Sequence, residues 1–238
     1  MEFNLADLFE RVAETVPERE ALVCVGSETT KTSSGGDVRW SYEELLARTN
    51  QMAHLLLASG VRPGDRVGVH LHNGWPYVVA MMGCFSVRAI PVNVNYRYTA
   101  PELAYLFGDA DLVAIVTESE SRPLVEKAIA AWGGESEVLI TGGAFADELA
   151  AFPSVRPPVG ARSADDRYLL YTGGTTGAPK GVVWRHEDIY FASLGGRGTP
   201  SAGVPPVTAP EQVAARARDG GPIMRRLPLC PMMHGGAM

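Results

Sequence analysis

YTGGTTGAPKGV, residues 171–182, places four glycines, three threonines and one lysine within twelve positions. Apolar segments at 168–171 and 182–184 flank it, which predicts a turn between two strands. Glycine lets backbone N–H groups approach an anion, threonine hydroxyls add donors, and lysine adds a mobile positive charge. We therefore predict a phosphate-binding loop, with binding residues Thr172, Gly173, Gly174, Thr175, Thr176, Gly177 and Lys180.

Two common phosphate motifs do not fit the spacing of this loop. A Walker A loop needs GxxxxGK followed by Ser or Thr, whereas Lys180 lies between Pro179 and Gly181. A dinucleotide-binding turn needs GxGxxG at the start of a helix, and Gly174, Gly177 and Gly181 are spaced differently. A plain glycine-rich hairpin is the structural alternative, although such turns rarely carry three threonines and a lysine.

Upstream of the loop, predicted strands alternate with predicted helices. Asn4 caps a first helix that ends near Pro17, and Ser41 caps a second that ends near Gly60. The strands are Ala21–Val25, Val38–Ser41, Arg66–Leu71, Ala89–Val94, Leu112–Thr117 and Glu137–Thr141. The later helices are Trp75–Val87, Pro101–Gly108, Arg122–Trp132 and Phe145–Ala151. This order is typical of an α/β fold with layered, largely parallel sheets and flanking helices.

Composition shifts divide the chain into three parts. Residues 1–152 form a first α/β subdomain, and a proline-rich connection covers 153–166. Residues 167–238 begin a nucleotide-binding subdomain, in which the glycines and prolines of 195–221 predict a mobile loop. A helix over 187–194 precedes that loop, and a short helix over 211–218 lies inside it.

Charge and cysteine usage exclude several classes of protein. The net charge of −6 gives no general attraction for nucleic acid. Three distant cysteines argue against a disulfide framework or a zinc site and favour a reducing compartment. No signal peptide is recognisable, and the longest apolar stretch, 77–87, is too short to span a bilayer. We expect a cytoplasmic protein, either free or peripheral to a membrane.

The loop closely resembles the signature YTSGTTGxPKGV of the adenylate-forming superfamily, with Gly173 in place of the usual serine. Further segments resembling that family are Trp40–Leu45, Gly60–Leu71, Met82–Tyr98 and Pro228–Gly236. The resemblance therefore covers nearly the whole chain. The Pro228–Gly236 segment and the context of Trp184 favour the acyl-CoA synthetase branch.

The resemblance implies an incomplete N-terminal domain of the adenylate-forming fold. It implies a ligase that joins ATP and a fatty or other hydrophobic carboxylic acid into an acyl-adenylate, which coenzyme A then converts to a thioester. The adenylation lysine, the acidic Mg²⁺ ligand and the C-terminal domain of such enzymes would lie beyond Met238. We therefore expect the chain to be the N-terminal portion of the enzyme and to be inactive alone.

The histidines receive different interpretations. The resemblance places His234 in the carboxylate pocket, whereas the residue alone reads as the end of a strand. His186 is expected to be a structural group at a helix start. His70 and His72 alternate on a strand, and a surface or core role is favoured over a metal pair because no third ligand is evident. Asp165 and Asp166 are expected to form a solvated turn.

Two other functions remain open at this point. The chain could be a non-catalytic binding or interaction module that retains the phosphate loop and self-associates through an unfinished sheet. A phosphotransferase is disfavoured, because the Walker spacing fails and no acidic metal-binding motif lies nearby.

Overall fold

The computed structural model describes residues 1–25, 37–142, 144–172, 178–219, 226–228 and 230–234. Within these ranges the helices are α1 Leu5–Thr15, α2 Tyr42–Ala58, α3 Trp75–Ser86, α4 Ala100–Ala110, α5 Arg122–Trp132, α6 Phe145–Ala150, α7 His186–Ser193 and α8 Glu211–Arg218. The strands are β1 Glu20–Cys24, β2 Val38–Ser41, β3 Arg66–His70, β4 Ile90–Asn93, β5 Leu112–Glu118, β6 Glu137–Thr141, β7 Arg167–Thr172 and β8 Lys180–Arg185. Short 3-10 turns cover Ser119–Ser121 and Pro200–Ala202.

The main sheet has six strands in the order β6-β5-β3-β4-β7-β8. Strands β3 to β7 run parallel, and β8 pairs antiparallel with β7 at the edge. Strands β1 and β2 form a separate antiparallel hairpin. The predicted α/β class with a largely parallel sheet is therefore confirmed.

Both faces of the main sheet are buried, which explains the nearly continuous apolar strands. Helices α2, α3 and α6 cover one face, where Val67, Val69 and Val116 are fully buried. Helices α4 and α5 cover the other face around Phe107 and Ile115. Capping boxes start α2 at Ser41–Glu44 and α4 at Thr99–Glu102.

Buried ionic contacts hold α1 against the connection that precedes β7. Asn4 caps α1 and donates a hydrogen bond to Asp166 Oδ2 at 2.9 Å. Arg88 binds both carboxylate oxygens of the same Asp166. The prediction of a solvated turn is confirmed for Asp165, which is exposed. It is wrong for Asp166, whose carboxylate is nearly buried and is bound by Asn4 and Arg88.

Strand β7 follows the 153–166 connection and adds to the same sheet as β3 to β6. The division into two subdomains stays a prediction. Downstream, Val207 packs with Leu8 and Tyr190, and α8 lies against α1. The motion expected for 195–221 also stays a prediction, and residues 220–225 lie outside the described part.

Among the described residues, no helix has both the length and the hydropathy that a bilayer crossing requires.

Candidate functional site

The predicted phosphate loop connects two strands of an antiparallel hairpin. Thr172 ends β7 and Lys180 begins β8, and the two residues are direct partners across the hairpin. Both are exposed, so the threonine hydroxyl and the lysine ammonium face solvent. The predicted binding residues Gly173, Gly174, Thr175, Thr176 and Gly177 lie outside the described residues. The structure describes the two ends of the loop, Tyr171–Thr172 and Lys180–Gly181, which we call the stem.

The stem leaves the sheet at the edge where parallel strands end. Because β3 to β7 are parallel, their carboxyl ends meet on one side, and Thr172 is the last residue of β7. Ligands of open α/β sheets bind in the crevice outside this edge. The sheet therefore delivers the predicted loop to the place where a nucleotide would be bound.

Tyr171 anchors the first strand of the stem. Its hydroxyl donates a 2.6 Å hydrogen bond to Asp109 Oδ2 on α4, and its side chain is buried. Burial, followed by the bond to Asp109, raises the pKa of Tyr171 well above its usual range. Opposite it, a Cβ built on Gly181 would lie 3.1 Å from the Tyr171 ring. Glycine at this position therefore lets the ring pack closely against β8.

Residues 230–234, called the His234 segment here, contact the same edge of the sheet. Asn73 accepts a 2.6 Å hydrogen bond from the Met232 N–H and donates one of 3.0 Å to the Cys230 carbonyl. Asn93, at the end of β4, donates to the Met233 carbonyl at 3.1 Å. These side chains hold the backbone of the segment beside the strand that neighbours β7.

Tyr77 completes this set of contacts, and we call Asn73, Tyr77 and Asn93 the clamp. The Tyr77 hydroxyl lies 2.7 Å from Asn93 Oδ1 and 3.1 Å from the Met232 carbonyl oxygen. His234 itself is exposed, and its N–H donates to the Pro231 carbonyl in a turn, so the expectation that it ends a strand is wrong. The role of His234 in a carboxylate pocket stays a prediction. Sequence reasoning missed the clamp, although asparagines just after β3 and at the end of β4 are a recognisable signal at a carboxyl edge.

His70 and His72 have the structural roles that were favoured. His70 is buried, its Nδ1 lies 2.8 Å from Thr117 Oγ1, and burial lowers its pKa to about 4, with a smaller effect from His72. His72 Nδ1 lies 2.6 Å from Glu118 Oε2. No group of three or more His, Cys, Asp or Glu side chains within the described residues could hold a metal ion.

His186 is a buried structural residue, as expected. The ring is fully buried, and its Nδ1 accepts a 3.3 Å hydrogen bond from the Leu5 N–H. An edge-to-face contact with Phe85 covers the ring. Burial lowers the pKa of His186 to about 4. The neutral imidazole therefore joins α7 to the start of α1.

An apolar cavity of about 490 Å³ lies among α1, α3 and α7. Its lining includes Leu8, Met81, Phe85 and Tyr190, and it reaches Met232, two residues before His234. A larger cleft of about 1180 Å³ runs along β1 and shares the Met232 wall. Met232 of the His234 segment therefore lines both spaces, together with Tyr42 and Val78.

Comparison with known proteins gives one family match. Residues 9–214 match the model of the family described as AMP-binding enzyme. The chain is 39% identical over 252 residues to a 3-oxocholest-4-en-26-oate–CoA ligase of Rhodococcus rhodochrous. It is 39% identical over 246 residues to a medium/long-chain-fatty-acid and 3-oxocholest-4-en-26-oate–CoA ligase of Mycolicibacterium smegmatis. The alignments cover 100% and 99% of this chain but 42% of each relative.

Solved structures also match this chain over only part of their own length. The inhibitor-bound N-terminal domain of FACL13 from Mycobacterium tuberculosis matches with a TM-score of 0.67 and 28% identity, over 80% of this chain and 46% of that one. A fatty acyl CoA synthetase of Mycobacterium tuberculosis matches with a TM-score of 0.66 and 26% identity, over 79% of this chain and 36% of that one. The chain thus spans less than half the length of these relatives.

Proposed function

The chain belongs to the AMP-binding enzyme family, and from this premise we propose that it is the N-terminal portion of an AMP-forming acyl-CoA synthetase. In the proposed first step, a carboxylate oxygen attacks the α-phosphorus of ATP, the bond to the β-phosphate oxygen breaks, and pyrophosphate leaves. In the second, the thiol of coenzyme A loses its proton and displaces AMP from the acyl-adenylate. The observation that carries the proposal is the signature loop on its hairpin, with Thr172 and Lys180 paired at the carboxyl edge of the sheet.

The chemistry of the first step explains why such a loop is needed. Negative charge accumulates on the leaving pyrophosphate, and fixed donors stabilise that charge without reorganising during the reaction. Lys180 supplies a compact positive charge at one end of the loop, and Thr172 supplies a hydroxyl at the other. We propose that residues 172–177 and Lys180 contact the β- and γ-phosphates.

A hydrophobic acid is the proposed second substrate. The cavity of about 490 Å³ has an almost wholly apolar lining that includes Met232, two residues before the proposed carboxylate residue His234. Its volume falls within the usual range of small-molecule sites. The names of the relatives, which include medium- and long-chain fatty acids and a steroid carboxylate, agree with an apolar acid.

The nucleotide substrate brings Mg²⁺ with it, since ATP-dependent enzymes bind that ion with substrate phosphates and few protein carboxylates. The described residues contain no cluster of carboxylates suited to this ion, so we assign no residue to it. The ion would neutralise phosphate charge when bound. Lys180 and the loop act on the same charge from the protein side.

The test measures binding and turnover separately on the 238-residue chain. We expect ATP and inorganic pyrophosphate to bind by calorimetry, and Lys180→Ala to weaken both by about tenfold, the effect of losing one charge-assisted hydrogen bond. Lys127→Ala, which removes an exposed lysine on α5, serves as the matched control. Equal affinities for the unaltered chain and Lys180→Ala, or no binding of either ligand, would contradict the proposal.

Turnover is followed as exchange of labelled pyrophosphate into ATP in the presence of a long-chain fatty acid. Because the chain spans about 42% of the length of its relatives, we expect binding without exchange. Robust exchange would show that these residues alone complete the adenylation step and would overturn the expectation that the chain is inactive alone.

A further inference from the structure

We propose that helix α4 positions the phosphate loop, with Asp109 and Tyr105 as positioning residues that hold the two strands of its stem. The inference rests on the proposed function for the identity of the ligand, but not for the contacts. Neither residue would touch ATP. Each acts through a residue that borders the loop, Asp109 through Tyr171 and Tyr105 through Pro179.

The stem needs such a support because the sheet does not supply one. Strand β4 pairs with β7 only through Val92–Leu169 and Asn93–Leu170. Beyond Leu170, the residues of β7 pair only with β8, which is itself the edge of the sheet. The outer surface of β8 is exposed at Val182 and Val183. The stem therefore extends past the last hydrogen bond to the parallel strands, and an isolated two-stranded hairpin is marginally stable in water.

Helix α4 contacts this projecting part on both sides of the loop. Asp109 accepts a 2.6 Å hydrogen bond from the Tyr171 hydroxyl, which is a short, charge-assisted bond. One turn earlier, the Tyr105 hydroxyl donates a longer bond of 3.4 Å to the Pro179 carbonyl. Positions 105 and 109 are four residues apart, so they lie on the same face of the helix. One helix face thus binds the chain before the loop and after it.

The Tyr171 ring links α4 to β8. Tyr171 and Gly181 are direct partners across the hairpin, and the ring lies 3.1 Å from where a Gly181 Cβ would be. Because Asp109 holds the Tyr171 hydroxyl, the ring keeps one orientation. The positions of β7 and β8 on either side of the ring are fixed with it. A change at Asp109 is therefore expected to loosen Lys180 as well as Thr172, although the hydrogen bond of Asp109 is to Tyr171.

The experiment compares variants of the 238-residue chain by amide hydrogen exchange, pyrophosphate binding and thermal unfolding. Asp109→Ala and Tyr171→Phe each remove the bond, and Asp109→Asn keeps an acceptor for it. Tyr168→Phe is the matched control, because Tyr168 lies on the same strand and its hydroxyl interacts with Asn93 on β4 and not with α4. Tyr105→Phe tests the second contact.

We expect Asp109→Ala and Tyr171→Phe to raise exchange at the stem amides by about tenfold and to weaken pyrophosphate binding by about the same factor. The double variant should match either single one, since both remove the same bond. Asp109→Asn should recover most of the affinity. Tyr105→Phe should give a smaller change of the same kind, and Tyr168→Phe should leave stem exchange and affinity unchanged.

A purely structural role predicts a different pattern. Exchange would then rise across β3 to β5 together with a lower thermal midpoint, and Asp109→Asn would be no better than Asp109→Ala; either result overturns the inference. If the unaltered chain binds no pyrophosphate while the stem amides respond as expected, the proposed function fails and the positioning by α4 stands.

Discussion

At the scale of single residues, the buried histidines link folding to pH. Burial lowers the pKa of His186 to about 4 and that of His70 to about 4, against a value near 6.5 in an unfolded chain. Each lowered pKa means that the folded state prefers the neutral ring. The stabilisation is complete above pH 6.5 and is lost as the pH falls from about 6.5 towards 4.

We predict that the free energy of unfolding falls by roughly 2 kcal/mol per buried histidine between pH 7 and pH 4.5. Urea unfolding at the two pH values measures this. His186→Gln should lower stability at pH 7 and should flatten its dependence on pH. His54→Gln, at a partly exposed ring, is the comparison variant, and a slope that falls no further in His186→Gln than in His54→Gln would refute the assignment.

Asn73 provides a second test at this scale, because it holds the His234 segment through two backbone hydrogen bonds. We predict that Asn73→Ala increases amide exchange in residues 230–234 and costs about 1–2 kcal/mol of stability. Asn95→Ala is the control, since Asn95 Oδ1 accepts from the nearby Arg97 N–H. Equal exchange in the two variants would show that the clamp does not hold the segment.

The two parts of the candidate site were not equally predictable. The loop could be recognised because its residues are contiguous and their chemistry depends on local spacing. The clamp could not, since Asn73 meets Met232 across 159 positions and Asn93 meets Met233 across 140. The two asparagines at the carboxyl edge were a signal of polar side chains there, but no local pattern encodes which distant carbonyl an asparagine will bind. Residues 173–177, the centre of the prediction, lie outside the described part of the chain.

At the scale of elements, the helices and strands predicted up to residue 218 end within two residues of the observed ones, whereas the strand character predicted near His234 is not observed in the described residues. Caps account for part of this agreement, because Asn4 and Ser41, the two caps predicted from the sequence, both occupy N-cap positions. The sequence did not indicate how α1 is attached. Its carboxylates Asp7 and Glu10 bind Arg162 and Arg156, about 150 residues further along the chain.

The two arginines offer a matched comparison, because they bind the same carboxylates but differ in burial. The Arg162 side chain is fully buried, whereas that of Arg156 is 55% exposed. We predict that Arg162→Met costs about 3–5 kcal/mol, since it leaves buried carboxylates with a single partner, and that Arg156→Met costs about 1 kcal/mol or less. Urea unfolding of both variants tests this; similar costs would mean that burial does not decide the strength of these pairs.

At the scale of the whole molecule, alternation of strands and helices predicted the fold class, but it did not predict the strand order. In the sheet, β3 lies between β4 and β5, and β7 adds beside β4 rather than beside β6. This order depends on which apolar faces pack together across the chain. The local pattern of apolar residues indicates only that a strand is buried on both faces.

Among the strands that the structure describes, none pairs with the outer edge of β8, which leads to a prediction about association. Val183 is 56% exposed on this edge strand, and an unpaired apolar edge is a template for pairing with a second chain. We expect the 238-residue chain to dimerise in light scattering at raised concentration, and Val183→Lys to shift it towards the monomer. A monomer at all concentrations would remove the edge as an association site.

The cap of α1 also determines when this helix can be stabilised during synthesis. Asn4 is synthesised long before its partner Asp166, which follows 162 residues later, and His186 reaches Leu5 across 181 residues. At translation rates of about 5–20 residues per second, the apolar side of α1 waits roughly ten to forty seconds for these contacts. During that interval we expect Leu8 and its neighbours to be open to binding by a holdase chaperone, because their folded partners Tyr190 and Val207 have not yet been made.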